Sequence, residues 1–478
     1  MLRWLFVAML FFMLLPYGSV DYLPLHLVAT GFFIVAAIAS LVCRPPLVVQ
    51  TAWAIAITVA ALLAIWLIVQ AMGFAGNPFA NPIWKDVARI FGPVTPSISI
   101  APGDTLQGLV SALLPFAIFV TAIVLFQDDR NSLWLIKAIV MPGVALAAVG
   151  LIQFELFPDM LLFEKKHFYL QSLTVVFVNS NTAATYLAML LVFAIGLAFH
   201  SIQNAGARQL LRYVIGAPSA TRPIDARNGI FYIACATIVF VCLLLTKSRA
   251  GVGSAIVGVI ILSVILAYFG SQNATKTIAS SFSRRRTPRS TKLMRVGFVL
   301  VAILIVGATL SGQVMLRAQV QGSNDIRFCF MPGILQMVRD NWLTGTGFGS
   351  FRYAFPAYRD PSCGLEGVLT RAHDFYLEAW ITLGLPFVIL ACIVVVSLFF
   401  YFIKGVRSRR QYRWIPAAGL GVLLIQILHN SIDFSIQIPA VAAIFAALMG
   451  AGVVVSTGRG VTAPSSSATF DKQSRVVP

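Results

Sequence analysis

The chain has 478 residues, a mean hydropathy of +0.87, 59 % hydrophobic and 11 % charged residues, which excludes a soluble globular enzyme. Its net charge of +18 points to nucleic acid only if the basic residues form a solvent-facing patch, and their placement argues against that. Six cysteines without a CxxC pair and five scattered histidines exclude a zinc-ribbon or haem-attachment signature.

Apolar runs of about 20 residues, enough to cross a bilayer, recur along the whole length. They predict an all-α polytopic membrane protein of about 12 transmembrane helices, near 2–17, 25–43, 47–72, 105–126, 138–155, 182–199, 229–245, 251–269, 296–311, 379–403, 414–429 and 438–455. The run Leu2–Leu15 reads as a first membrane helix rather than a cleaved signal, because Pro16-Tyr17-Gly18 leads straight into a second span. With both termini inside, the cytoplasmic segments hold 23 of the 35 Lys and Arg but only 4 of the 17 acids, as the positive-inside bias requires. The densest blocks, Arg284-Arg285-Arg286 to Arg295 and Lys404 to Arg413, therefore read as topology and anionic-lipid anchors, with no nucleic acid as partner. Cys235, Cys242 and Cys392 lie in apolar runs and read as small packed hydrophobes.

The outer segments follow in order. Residues 73–104 form a Pro- and Gly-rich loop, and Ser97-Ile98-Ser99-Ile100 alternates too briefly to be more than extended chain. Asn179 and Asn181 precede the sixth span, where they suit a helix cap or a hydrogen bond to sugar or phosphate. Lys247 and Arg249 sit at the tip of a tight hairpin between spans seven and eight, either snorkelling to headgroups or binding an anionic substrate. Residues 311–378 form the largest outer loop, between helices nine and ten, and a loop of that length is usually functional. Within it, the apolar spacing of 325–340 predicts an amphipathic helix on the membrane surface. Gly345-Thr346-Gly347-Phe348-Gly349 lacks the strand–turn–helix context of a dinucleotide site, so its glycines serve tight turns or a close approach. Cys329 and Cys363 are spaced to close a loop of about 33 residues if they pair; each could instead be buried singly. The loop ends on Arg371-Ala372-His373-Asp374 at the mouth of an apolar helix, where ionisable groups are costly. Asp433 closes the eleventh span, as a solvated helix end or as partner to an active-site arginine or histidine. The tail from 456 is Ser/Thr/Gly-rich and reads as disordered.

Arginines suit a pyrophosphate, because the guanidinium fork pairs with phosphate oxygens and keeps its charge. Arg249, Arg327 and Arg371 come from three separate elements, and His373 titrates where it can take a hydroxyl proton. No spacing suits a metal ion and no loop cradles a nucleotide phosphate, so neither metal nor cofactor is expected.

In this order and on this topology, the sequence resembles the O-antigen ligase and polymerase superfamily of bacterial surface-polysaccharide enzymes. The resemblance rests on Asn179 and Asn181, Ser248-Arg249-Ala250-Gly251, Arg327, Gly345 to Phe351, His373 with Gly384 eleven residues on, and Asp433. It spans roughly 177–455, leaving 1–176 as N-terminal helices and 456–478 as tail. Asp374 departs from the family, whose histidine is usually followed by Asn, Ser or Gln. The resemblance implies metal-independent, inverting transfer of a glycan from undecaprenyl diphosphate on the periplasmic face of a bacterial inner membrane. His373 would activate the acceptor hydroxyl, and Arg249 and Arg327, with Arg371 as a third, would hold the diphosphate. Asn179, Asn181, Lys247, Asp374 and Asp433 would support them. The acceptor would be lipid A core or a growing lipid-linked polymer. Protein O-glycosylation and a flippase or transporter are the alternatives, the last disfavoured by spans nearly free of charge.

Overall fold

The computed structural model describes residues 1–205, 224–276, 326–363 and 367–458, with the side chains of 326–328 and 363 among those outside the description. Long apolar helices dominate it: α1 (Leu2–Leu14), α2 (Tyr22–Val42), α3 (Gln50–Ala71), α4 (Ile83–Phe91), α5 (Pro102–Leu125), α6 (Asp129–Leu156), α7 (Ser180–Ala205), α8 (Ile224–Leu245) and α9 (Arg249–Lys276). They continue with α10 (Ile326–Asn341), the single turn α11 (Phe351–Ala354), α12 (Phe375–Leu383), α13 (Leu385–Ser408), α14 (Trp414–His429) and α15 (Pro439–Thr457). Nine are long and apolar enough to cross a membrane among the described residues, and α1 and α14 are shorter apolar helices. This is a multi-pass membrane protein. The span expected at 296–311, the Arg284–Arg295 block and the tail beyond 458 lie outside the described residues.

Burial sorts the helices. The apolar stretches of α7 and α15 are 89 % buried, against 17 % for α13, so the first two form the centre and α13 faces lipid. Small residues let the central helices approach closely, as between Gly258 of α9 and Gly421 of α14, where an added Cβ would meet backbone. The two ends of the bundle differ in charge. At the basic end Arg3 donates to Leu125 O (2.7 Å), and Arg409 bridges Asp129 and Gly458 O. Both α1 and α15 have their outer chain termini at this end. At the opposite end lie the loops 15–22, 72–101 and 157–179 and the segment 342–363, where Ile100 N–H donates to Thr346 O.

Several expectations change here. The tenth span is two helices, because Gly384 (φ 71°) stops α12 and starts α13, and a Cβ there would lie 2.3 Å from Leu343 O. The amphipathic helix exists as α10 but does not rest its apolar stripe on a membrane surface. Phe330, Ile334 and Met337 are buried against the stacked Phe351 and Phe355 and against Ile381, a small core of their own. The glycine run 345–349 makes close protein contacts: Thr346 and Gly347 N–H donate to Ile381 O and Thr382 O, and Gly347 (φ 102°) lies against Ser99. Gln70, fully buried on α3, donates to Thr344 O and Thr382 O and locks the same turn to a span. Helix α4 and the two-residue strands β1 (Met160–Leu161) and β2 (Glu164–Lys165), paired Met160↔Lys165, were not anticipated.

Candidate functional site

The turn before α12 carries the densest polar chemistry at the end opposite the basic one. Asp374 forms the N-cap of α12, its side chain accepting the Leu377 N–H at 3.0 Å. His373, one residue earlier, has φ 55°, a left-handed conformation that a non-glycine residue keeps only when its surroundings hold it there. Those surroundings are explicit. On one side Glu378, 4 % exposed, accepts the Ala372 N–H (2.8 Å), Arg371 Nη1 (3.0 Å) and Gln437 Nε2 (3.0 Å). On the other, the Phe375 N–H is shared between Asn430 O (3.0 Å) and Asp433 O (3.1 Å). The imidazole itself meets the Phe434 ring edge-on at 5.3 Å. A strained, partly buried histidine pinned from two chain segments makes this turn the candidate site.

Behind this turn lies a buried polar layer. Asp433 is fully buried, which removes the solvated-helix-end reading; it accepts from Asn181 Nδ2 (3.4 Å) and from Ser435 Oγ. Its Oδ2 lies 3.9 Å from His429 Nδ1, which is also 2.8 Å from Thr185 Oγ1. Asp433 therefore lies beside a histidine, His429. Asn179 Oδ1 accepts the Asn181 N–H (2.7 Å) at the start of α7, the capping geometry, while the Asn181 amide reaches Asp433.

The basic residues occupy three positions. Arg249 is the first residue of α9 and is exposed, as is Lys247, whose φ is 56°. Ser248 Oγ accepts the Gly251 N–H at 3.1 Å, and an added Cβ at Gly251 would fall 2.3 Å from Ala184 Cβ. The start of α9 thus sits against the first turns of α7, beside Asn181 and Thr185. Arg371 is engaged by Glu378. Arg327 opens α10, and its side chain lies outside the described ones. Cys329, two residues on, is disulfide-bonded, whereas Cys43, Cys235, Cys242 and Cys392 are free; the Cys363 side chain lies outside the description. Among the described residues no three His, Cys, Asp or Glu side chains converge as metal ligands would.

Sequence reading assigned no role to Gln437, His429 or Thr185. Glu378 was one of the two carboxylates that made the 371–380 stretch conspicuous, but it was given no role at the site. The other three carry ordinary residue types at unremarkable spacing.

Residues 233–392, about a third of the chain, match the family model described as O-antigen ligase. The resemblance to the O-antigen ligase and polymerase superfamily holds across that segment. The matched segment contains Lys247, Arg249, Arg327, Arg371, His373 and Asp374 and stops short of Asn179, Asn181 and Asp433. The match supports a glycosyltransferase-like enzyme of O-antigen ligase or polymerase type, working on lipid-linked polysaccharide in a membrane. No curated protein matches the chain.

Burial raises the Asp374 carboxyl above the usual range; the Leu377 and Tyr376 N–H groups oppose that shift and the Glu378 charge adds to it. A carboxyl whose folded pKa is raised costs stability above that pKa, and the cost vanishes below the unfolded value. Asparagine caps a helix as well as aspartate does, so Asp374→Asn is expected to equal or exceed the parent in Tm at pH 7 and to lose that advantage near pH 4. Asp374→Ala loses the cap, worth about 1 kcal/mol, and its deficit should be smaller at pH 7 than near pH 4. Thermal melts of the purified variants at the two pH values check this.

Proposed function

We propose that the protein transfers a glycan from an undecaprenyl-diphosphate donor to a sugar hydroxyl, on the periplasmic face of a bacterial inner membrane. The observation that carries the reading is the strained, doubly clamped His373 within a ligase-like segment, at the end of the bundle away from the basic residues. Positive-inside bias puts that basic end in the cytoplasm. In the reaction His373 takes the proton of the acceptor hydroxyl as its oxygen attacks the anomeric carbon. The bond from that carbon to the diphosphate oxygen breaks, and the leaving group departs with the electron pair. Arg249 and Arg327 stabilise the developing diphosphate charge, as guanidinium forks aimed at phosphate oxygens do. Arg371, held at 3.0 Å by Glu378, braces the turn and presents the remaining edge of its guanidinium. The step needs no nucleotide, because the donor arrives activated.

Lysine keeps the charge of arginine but not its fork, so Arg249→Lys and Arg327→Lys are each expected to lower transfer by at least about tenfold. Quantified product in membranes with matched protein levels checks this, and two fully active variants would leave these arginines as surface anchors. The functional reading itself is tested with purified protein, a lipid-diphosphate glycan and two acceptors. Ligation to lipid A core oligosaccharide or elongation of a second lipid-linked unit supports it and separates ligase from polymerase. Absence of transfer to either, with donor intact, counts against it.

A further inference from the structure

At the basic end, far from His373, α7, α9 and the turn between α13 and α14 frame a small, partly open cleft. Its lining includes Arg410, Arg413, Gln203 and Gln411 with Phe199 and Trp414. Arg413 is 9 % exposed; its Nε donates to Val406 O (2.8 Å), its Nη1 to Phe269 O (3.4 Å), and the guanidinium lies 4.5 Å over the Phe269 ring. These contacts hold the group in place without neutralising it. The comparison with Arg409 is instructive, since that residue is as buried and is paired with Asp129. No carboxylate pairs with Arg413 or Arg410 among the described residues.

Among the described residues the positive potential nearby is also unrelieved. Burial first, and then the Arg410 charge, pull the Arg413 guanidinium below its ordinary range. Helix α14 begins at this point with no acid in its first turn, adding the positive end of its dipole. The sequence on either side, 204–223 after α7 and 270–295 after Phe269, contains no Asp or Glu at all. A buried arginine left without a counter-charge is costly, and a bound anion removes that cost.

We propose that this pocket binds the phosphate of an anionic phospholipid from the leaflet at the basic end of the bundle. Arg410 and Arg413 pair with the phosphodiester oxygens, and the Gln203 and Gln411 amides donate to the same headgroup. A lipid suits the pocket better than a free anion, because Phe199 and Trp414 give one wall an apolar surface and the pocket lies at the ends of the apolar helices α7 and α13. The inference is independent of the glycan-transfer site.

The test is thermal unfolding of the purified full-length protein in neutral detergent with phosphatidylglycerol, phosphatidylcholine or inorganic phosphate. Phosphatidylglycerol is expected to raise Tm by roughly 2–4 °C at saturation, with no comparable rise from the other two. Because Arg413 also braces the turn, the diagnostic variant is Arg410→Glu at an exposed position. It should lose most of the shift while its lipid-free Tm matches the parent. The exposed neighbours Lys404→Glu and Arg407→Glu should keep the shift. A full shift in Arg410→Glu, or an equal shift with phosphatidylcholine, overturns the proposal. An equal shift with inorganic phosphate overturns the assignment to lipid.

Discussion

His373→Ala is expected to abolish glycan transfer while the protein still inserts and folds. General-base catalysis contributes about 10²–10⁴-fold, and His429 is not placed to substitute, since it is fully buried behind Asp433 and Thr185. The fold does not depend on the imidazole, because backbone and Glu378 contacts made by residues 371, 372 and 375 hold the turn. Alanine at φ 55° carries strain of roughly 1 kcal/mol, so a small drop in Tm is expected beside the loss of activity. His373→Asn separates the two effects. Asparagine accepts the left-handed conformation but is no base, so it should melt with the parent and remain inactive. Product quantified by gel or mass spectrometry, with melts of the same preparations, gives both readouts.

Glu378→Ala should be the most damaging change outside the reacting groups. It leaves the Ala372 N–H without its acceptor in a buried setting and releases Arg371 and Gln437 together. An orphaned buried donor costs about 1–3 kcal/mol, and the ion pair adds at most about 1, because the Arg371 side chain is 40 % exposed. Activity should fall about a hundredfold, since displacement of a positioned group by an ångström is enough for that. Glu378→Gln keeps an acceptor for the Ala372 N–H and should recover part of both stability and rate. If Glu378→Ala melts early but turns over normally, Glu378 supports the fold and not the geometry of His373.

The spans were legible because a bilayer imposes its thickness on the sequence: every described helix long enough to cross overlaps an apolar run expected to do so. The break at Gly384 was not legible, since an apolar run reads the same whether one helix or two traverse it. Only the meeting of Gly384 with Leu343 shows why glycine is needed there. Helix α10 was found by its periodicity and misplaced, because the apolar stripe of a surface helix and that of a helix in a small outer core look alike until the partner is known. Its partners, Phe351, Phe355 and Ile381, lie later in the chain. The site divides the same way. His373, Asp374 and the arginines stood out as ionisable groups in apolar surroundings. The Glu378–Gln437 bond joins residues 59 apart, and Thr185 meets His429 across 244, distances over which local pattern carries no information.

In the proposed single displacement His373 activates the acceptor hydroxyl and no glycosyl-enzyme intermediate forms. This displacement is tested most directly by the anomeric configuration of the first product formed from a donor of known configuration, read by NMR before any rearrangement. The account predicts inversion at the anomeric carbon, with one lipid diphosphate released for each linkage made, and no product from His373→Asn. Retention of configuration, or undiminished transfer by that variant, would contradict it.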